Sequence, residues 1–402
     1  MPSNNILTTD LISNVTLAEL VNTAPFLHTA SRGVESDFQM ASYKVGDTVN
    51  VRRQNHFTVT DGQVGSIQPM DEAVEAITIK HLLSTTIEYT ATELTLDIAE
   101  FKKRYIDPAV RHILSDLEFK IAQQAATELN LFTGTAGTPT NSFGSISAAG
   151  GKLLKHAVDL KDNAYIALNT DDGIALQNSL FNAFNPTLNE NITQHSALGR
   201  LSYFDIFQSQ NMARHIAGSP GAGPITTTAV VGSGTIIPMT GLTASTLVFT
   251  KGDIFTTVGT ESINPMNFQS TGDDASFVVT EDVVSDGAGN ANVPVLINGQ
   301  AIISDPSNSR VNVTQAIPNG TVITPVSSHN VNVAYVERGL DIVAPPLARL
   351  DLPYSTTVTD KEARVSLTIN KDADVLQNTN VMRVLLLVGF KWHPMYATRV
   401  IS

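Results

Sequence analysis

The sequence predicts an α+β protein that carries an additional all-β domain inserted in its second half. One observation is a long amphipathic helical pattern at about residues 107–129, which follows a region of alternating strand patterns. The other is an abrupt change of composition after the loop AGSPGAGP at 217–224, beyond which almost every segment up to about residue 330 has strand or turn character. With 402 residues, of which 42% are hydrophobic, the chain is long enough for two or three folding units.

The first 35 residues predict a short amphipathic helix. Asp10 is a suitable N-cap and Pro25 ends the pattern. The apolar residues that recur at helical spacing include Leu11, Ile12, Val15, Leu20 and Val21. This helix either docks on its own domain or extends as an arm to a partner.

Between Val45 and Tyr89 the apolar residues alternate with a period of two, as in strands. Val49, Val51, Phe57 and Val59 precede the polar, glycine-containing stretch DGQVGSIQPMDE, and further alternating residues follow it. The pattern predicts one long hairpin with a mobile tip.

The long helical pattern begins at Asp107 and Pro108, a favourable N-cap and first-turn pair, and extends to about Leu129. Its apolar positions share one face, and its charged residues lie largely opposite. The apolar positions are Val110, Ile113, Leu114, Leu117, Ile121 and Ala125, and the charged ones are Arg111, Asp116, Glu118 and Lys120.

A mixed layer is predicted next. The Gly/Thr/Ser-rich stretch at 133–151 reads as a connection, AYIALN at 164–169 as a strand, and DDGIALQNSLFNAF at 171–184 as a helix.

The inserted region contains six short strand candidates separated by turn sequences, which predicts a small antiparallel sandwich or barrel. The candidates are STLVFT, DIFTTVG, SFVVTEDVV, NVPVLI, QAIIS and RVNVT. After about residue 330 the pattern returns to longer elements.

Composition and motifs exclude much chemistry. The chain has no cysteine, so it can have no disulfide, thiolate zinc site or cysteine nucleophile. Phosphate-cradling, nucleophile-elbow and zinc-protease motifs are absent from the sequence. The nine histidines are scattered, and the adjacent carboxylates at 171–172, 273–274 and 281–282 are interpreted as solvated turn residues. DGAGNAN, from Asp286, is interpreted as a turn rather than a cation site. We therefore expect no catalytic residue, cofactor or metal.

The formal charge of -13 disfavours a protein that grips nucleic acid along its backbone. The sequence shows neither a run of apolar residues long enough for a membrane helix nor a signal-peptide pattern. We expect a soluble, intracellular protein without membrane contact.

Three stretches, together with the order of elements, resemble one protein family. They are FKKRYIDPAVRHILSDLEFKIAQQAATEL at 101–129, KGDIFTTVGTESINPMNFQSTGDDASFVVTEDV at 251–283 and LLVGFKWHPMYATRV at 386–400. The chain resembles the coat proteins of short-tailed phages of the P-twenty-two type. That family is built on the Hong Kong ninety-seven capsid fold with an immunoglobulin-like insertion.

The resemblance implies a division of the chain into the parts of that fold. These are an N-terminal arm at 1–35, an extended loop at 36–92, a spine helix at 93–134, an axial domain at 135–221 and 331–350, an inserted domain at 222–330, and peripheral-domain strands at 351–402.

The resemblance also implies a major capsid protein that forms pentamers and hexamers, closes into an icosahedral procapsid around a scaffolding protein with a portal, and expands when double-stranded DNA enters. Decoration proteins are a further candidate partner. Under this reading, the candidate assembly contacts are Leu11, Ile12, Val15, Leu20 and Val21 of the arm and Phe57 and Val59 of the loop.

Two alternatives remain at this point. One is a shell protein of the same fold that forms a cellular nanocompartment, against which the inserted domain argues. The other is a secreted or phage-borne enzyme acting on a polymer, with the β region as a binding module. It would need a set of catalytic residues that converge in a pocket.

Overall fold

The chain forms two units, which are described separately. In the computed structural model, the described residues are 25–31, 46–52, 56–57, 59, 74–90, 107–161, 163–181, 198–221, 223–347, 354–360, 365–374 and 379–402. The first unit contains residues 1–52, 74–121 and 340–391, and the second contains residues 53–73, 122–339 and 392–402.

Four α-helices lie in the described residues. They are α1 (Pro25–Thr29), α2 (Asp107–Glu128), α3 (Phe143–Lys155) and α4 (Thr170–Phe181). None of the helices in this part of the chain is both long and apolar enough to span a bilayer.

The first unit contains seven of the strands, numbered along the whole chain. They are β1 (Thr48–Arg52), β2 (Val74–Thr78), β3 (His81–Thr90), β20 (Leu340–Val343), β21 (Tyr354–Asp360), β22 (Val365–Asp374) and β23 (Thr379–Trp392).

The other strands lie in the second unit. Around the mixed layer these are β4 (Phe132–Gly134), β5 (Ala164–Leu168), β6 (Arg200–Leu201), β7 (Phe204–Gln208), β8 (Arg214–His215), β19 (His329–Val336) and β24 (Ala397–Ile401). In the inserted region they are β9 (Ile225–Thr227), β10 (Ser233–Gly234), β11 (Ile236–Thr240), β12 (Leu247–Phe249), β13 (Ile254–Ile263), β14 (Ser270–Val279), β15 (Val283–Val284), β16 (Ala291–Leu296), β17 (Ile302–Ile303) and β18 (Val322–Pro325).

Helix α2 confirms the predicted helix, and its predicted apolar face is buried. The prediction was wrong for Glu118, which is 7% exposed, while Phe119 is 45% exposed. Residue 118 follows Leu117 directly and lies one turn after Leu114, so it falls at the edge of the buried stripe rather than opposite it.

Within the described residues, the predicted hairpin is confirmed at its base, and its predicted mobile tip at 61–72 lies outside them. Strands β1 and β2 pair antiparallel from Thr48 opposite Thr78 to Arg52 opposite Val74. Strand β3, which was predicted to continue this hairpin, instead pairs with β23, where His81 lies opposite Val388. The last backbone hydrogen bonds at the base of the hairpin join Ile79 to Gly46 and Asp47. The residues that follow Ile79 therefore pair with another sheet.

A five-stranded sheet forms the rest of the first unit's β structure. Its order is β20-β23-β22-β21, and β3 also pairs with β23. Val49 and Ile77 of the hairpin pack with Val343 and Leu387 of the sheet in one buried cluster. Burial of these side chains joins the base of the hairpin to the sheet.

The second unit is built on a seven-stranded mixed sheet of order β4-β24-β19-β5-β7-β6, with β8 paired to β19. The predicted strand and helix at 164–184 are confirmed as β5 and α4. Leu153 of α3, Leu176 of α4 and Ile166 of β5 share one buried core with Ala334 and Val336 of β19.

Helix α3 corrects the prediction that residues 133–151 only connect two elements. Ser142 caps it, because its side chain accepts from the backbone N–H of Ser145 while the Ser145 hydroxyl contacts the N–H of Ser142. Ile146 and Leu153 are fully buried. The free energy gained by burying them offsets the unfavourable helix propensity of the Gly and Ser residues around them.

The inserted region is a closed six-stranded barrel of order β11-β16-β14-β13-β18-β9. Of the two predicted alternatives, sandwich or barrel, the barrel is found. Its core includes Phe255, whose ring lies 6.0 Å from that of Phe249 and 5.6 Å from that of Phe277. The candidate strand RVNVT is wrong, since it contributes only the isolated bridge between Val313 and Ser262.

Strand β24 lies in the second unit, between β4 and β19. The resemblance placed residues 397–401 with the peripheral-domain strands, whereas β23 and β24 belong to different sheets. The chain therefore changes units between Lys391 and Trp392, and the predicted domain division stays a prediction.

Candidate functional site

Of the seven predicted assembly residues, two lie in the described part of the chain. Leu11, Ile12, Val15, Leu20 and Val21 lie outside it. Phe57 is 53% exposed and Val59 is 97% exposed. Both precede β2 in the segment that joins the two strands of the hairpin. Apolar side chains exposed to this degree gain free energy when a partner covers them.

The adjacent carboxylates predicted to be solvated behave differently from one another. Asp171 is exposed, but Asp172 is 2% exposed, so the prediction was wrong for Asp172. Within the described part of the chain, no group of three or more His, Asp or Glu side chains is placed to hold a metal ion. Asp286 accepts from the N–H groups of Ala288 and Asn290, which confirms the predicted turn.

Asp172 lies at the centre of a buried hydrogen-bond network in the mixed sheet. Its Oδ1 accepts from the Thr140 N–H at 2.9 Å, and its Oδ2 accepts from Asn332 Nδ2 and Ser402 Oγ, both at 2.6 Å. Asn332 also accepts from the Asn169 N–H at 2.7 Å and donates to the Val400 carbonyl at 3.1 Å. The network joins α4, β19 and the chain end after β24.

Asn130, just after α2, anchors the barrel to the layer. Its Nδ2 donates to the Ser276 carbonyl at 2.9 Å and to Asn298 Oδ1 at 3.2 Å, and its Oδ1 accepts from the Asn298 N–H at 3.0 Å. The side chain is fully buried. Each of these bonds satisfies a polar group that water does not reach.

A second anchor is the turn between β12 and β13. The fully buried Arg399 of β24 donates from Nη1 to the Gly252 carbonyl at 3.0 Å. Gly252 has φ +95°, and a Cβ there would lie 2.5 Å from the Ala126 carbonyl oxygen, so only glycine fits. Asp253 Oδ2 accepts from the Thr250 N–H at 2.7 Å and the Gly218 N–H at 3.0 Å.

Two histidines complete this anchor. His215 Nε2 lies 2.6 Å from Asp253 Oδ1, and the rings of His215 and His329 are 5.4 Å apart. His329 Nδ1 lies 2.7 Å from the Ser327 carbonyl, so Nδ1 carries the hydrogen and Nε2 of the neutral ring does not. That Nε2 is buried without a hydrogen-bond partner.

Comparison with known proteins supports the protein family that the order of secondary-structure elements resembles. Residues 196–394, about half of the chain, match the family model described as P22 coat protein, gene protein 5. The matched range contains the barrel and both of its connections to the layer. This chain is a major capsid protein of a tailed bacteriophage. No curated protein sequence matches it.

Solved structures resemble the capsid protein at low identity. A chain from Mycobacterium phage Che8 matches with a TM-score of 0.49 at 12% identity, covering 94% of this chain and 90% of that one. The capsid of Ralstonia phage GP4 matches with a TM-score of 0.46 at 8% identity, covering 89% and 84%. The mature capsid of bacteriophage PhiM1 matches with a TM-score of 0.41 at 11% identity, covering 89% and 83%.

The capsid protein is a structural subunit of the virion that assembles with copies of itself, and it is not an enzyme. Its buried polar groups therefore serve the architecture of the subunit. Burial lowers the pKa of Arg399 to about 9, and the nearby Asp253 opposes this shift. Nε and Nη2 of Arg399 have no hydrogen-bond partner, so its role is to hold the Gly252 turn through one strong bond.

A third contact joins α3 to the β13–β14 hairpin of the capsid protein. Asp273 binds Lys152 at 3.1 Å and Lys155 at 2.5 Å, and Asn264 Nδ2 donates to the Lys155 carbonyl at 2.8 Å. Burial raises the pKa of Asp273, but hydrogen bonds and charges from both lysines outweigh it and hold the pKa below its ordinary value. The carboxylate is ionised at neutral pH.

His156, at the C-terminus of α3, should make the stability of this unit fall in mild acid. It is 3% exposed and neither ring nitrogen has a hydrogen-bond partner. Burial, with help from Lys152, lowers its pKa from 6.5 to about 4. The unfolded chain therefore binds the proton first. The contribution of the neutral His156 ring to stability is complete above pH 6.5 and is lost as the pH falls towards 4.

At pH 5 this loss amounts to about 2 kcal/mol. The His156→Leu variant has no group that titrates at this position. Between pH 7 and pH 5, its free energy of unfolding should therefore fall by about 2 kcal/mol less than that of the natural protein. Urea unfolding followed by Trp392 fluorescence measures both proteins. Equal losses in the two proteins at pH 5 would show that His156 does not titrate as its burial implies.

Sequence reasoning missed Asn130, Arg399, His215 and His329. A signal existed for Arg399, which is a single charged residue in the otherwise uncharged segment ATRVIS. A second signal was the sequence KGD at 251–253 between two strands, where Gly252 permits a positive φ. No local signal pairs His215 with His329, since the whole barrel separates them in sequence.

Proposed function

We propose that this capsid protein builds its shell through arms and loops that overlap neighbouring copies, assembling in the host cytoplasm as a scaffold-dependent procapsid. Phe57 and Val59 carry the proposal. Val59 is 97% exposed, and a lone subunit gains nothing from presenting an apolar side chain so fully to water. A neighbouring copy covers these side chains in a shell, where many small contacts are repeated.

The N-terminal arm is proposed to act in the same way. Its five apolar residues Leu11, Ile12, Val15, Leu20 and Val21 repeat at helical spacing in the sequence. Removal of residues 1–24 should abolish assembly and leave the subunit folded.

The proposed partners are a scaffolding protein during assembly, a portal protein at one vertex and decoration proteins on the finished shell. The enclosed double-stranded DNA is bound without sequence specificity. A formal charge of -13 supports this, because an acidic subunit repels the phosphate backbone and does not immobilise the packaged DNA. The proposed division into arm, loop, spine helix, axial, inserted and peripheral parts follows the element order, with β24 assigned to the layer of β19.

The loop is tested with the double variant Phe57→Asp, Val59→Asp, expressed with a candidate scaffolding protein from the neighbouring genes. We expect no closed shells by electron microscopy, because each subunit would have to bury two carboxylates where it buried two apolar side chains before. Sedimentation and circular dichroism should show a folded subunit.

Val230→Asp is the matched control, since Val230 is also apolar and 67% exposed but lies in the loop between β9 and β10. It should assemble like the natural protein. Normal shells from the double variant would refute the role of the loop. Failure of the natural protein to form shells with any scaffolding protein would refute scaffold-dependent assembly itself.

A further inference from the structure

The two chain segments that lead into and out of the barrel meet at one point. Strand β8 precedes the barrel and β19 follows it, and they pair antiparallel with His215 opposite His329 and Arg214 opposite Asn330. Only these two residue pairs form the β8–β19 ladder in the described chain. Opening of this short ladder would detach β8, which leads into the barrel, while β19 stays paired with β24 and β5.

The charge around this ladder is unevenly distributed. His329 faces Arg399 from β24, His215 from β8, and Asp253 from the turn before β13. Asp253 is the one anion of this group, and its carboxylate already accepts hydrogen bonds from Gly218, Thr250 and His215. A proton on His329 Nε2 would find no acceptor, because that atom is buried and has no partner.

We propose that the His215–His329 pair is an acid-sensitive hinge: protonation of His329 opens the β8–β19 ladder and releases the connection that leads into the barrel from the mixed sheet. The buried cation beside Arg399 and His215 is stable only where water can reach it. The opened ladder provides that access. The barrel itself, whose strands close on each other, stays folded.

The direction of the pH dependence follows from the burial of His329. Burial lowers its pKa from 6.5 to about 4, with Arg399 and His215 adding to the shift and Asp253 and the Ser327 carbonyl opposing it. The open state takes up the proton below pH 6.5, and the closed state does so only near pH 4. The closed ladder is therefore fully favoured above pH 6.5 and loses its advantage as the pH falls.

Between pH 7 and pH 5, the equilibrium constant for opening should rise about 20-fold. Amide hydrogen exchange of the full-length protein, corrected for intrinsic rates, measures this segment by segment. We expect exchange in residues 213–217 and at Val331, whose N–H donates to the Ala213 carbonyl, to accelerate by about that factor, while β5 and β14 stay protected.

Two variants without a titrating group at this position, His329→Gln and His329→Phe, should lose most of the acceleration, and either one suffices if the other fails to fold. His156→Leu is the control. It removes a different buried histidine of the same unit and should leave the acceleration at the connections unchanged.

Two results would overturn the proposal. One is simultaneous loss of protection in the connections, β5 and β14, which would indicate acid unfolding of the whole unit. The other is an undiminished acceleration in a folded His329 variant.

Discussion

Asp172→Ala should lower the free energy of unfolding of the second unit by about 4 kcal/mol. The substitution removes three hydrogen bonds to one buried carboxylate and leaves the Thr140 N–H, the Asn332 amide and the Ser402 hydroxyl short of their acceptor. Asp172→Asn should cost only somewhat less. Both carboxylate oxygens accept, and an amide group would turn a donor towards one of these donors.

Urea unfolding followed by the fluorescence of Trp392 measures this effect, because the single tryptophan is fully buried in the same unit. Asp171→Ala is the matched control. It removes the neighbouring exposed carboxylate from the same helix turn and should change stability by less than about 1 kcal/mol. Similar losses for the two variants would show that the network around Asp172 adds little.

Gly252→Ala should destabilise the same unit by about 3–5 kcal/mol, through two separable effects. Its φ of +95° is strained for any residue with a Cβ. In addition, the new Cβ would lie 2.5 Å from the Ala126 carbonyl oxygen and 2.9 Å from the Thr127 Cα, and both belong to the backbone of α2. The turn would have to move away from α2, which stretches the bond between Arg399 and the Gly252 carbonyl.

Gly272→Ala separates the two effects. Gly272 has φ +73° with nothing within 4 Å of an added Cβ, so it carries the strain without the collision. It should cost about 1 kcal/mol in the same unfolding experiment. If the two alanine variants are equally destabilised, the close approach of the turn to α2 does not contribute.

The elements that could be predicted are those whose pattern is local. Helix α2 follows from Asp107-Pro108 and a continuous apolar stripe, and β5 and α4 follow from their alternation and helical spacing. Helix α3 could not be predicted from propensity, because Gly144, Gly150 and Gly151 weaken it and only burial of Ile146 and Leu153 against the layer stabilises it. Strand β3 has the same alternation as the hairpin, and its period does not say which strand it will pair with.

As assembly contacts, Phe57 and Val59 stay a prediction, whereas the anchors of the barrel were missed. Phe57 and Val59 could be selected because a period-two pattern places them on a strand, and their exposure is a property of the structure. The anchors of the barrel could not be selected. Asn130 contacts Asn298, and His215 contacts His329, across more than 100 residues of intervening chain.

The sequence alone determined the presence of an inserted β domain, the absence of thiol chemistry and the acidic charge, since these depend on composition, period and element order. The class of protein followed from the resemblance of three stretches to a known family. Only the tertiary structure decided that the inserted strands close into a barrel, that β24 joins the layer, and that Asp172, Arg399 and His329 are buried. The physical reason is that burial and hydrogen-bond partners are set by residues distant in sequence. A carboxylate such as Asp172 has the same local pattern as its solvated neighbour Asp171.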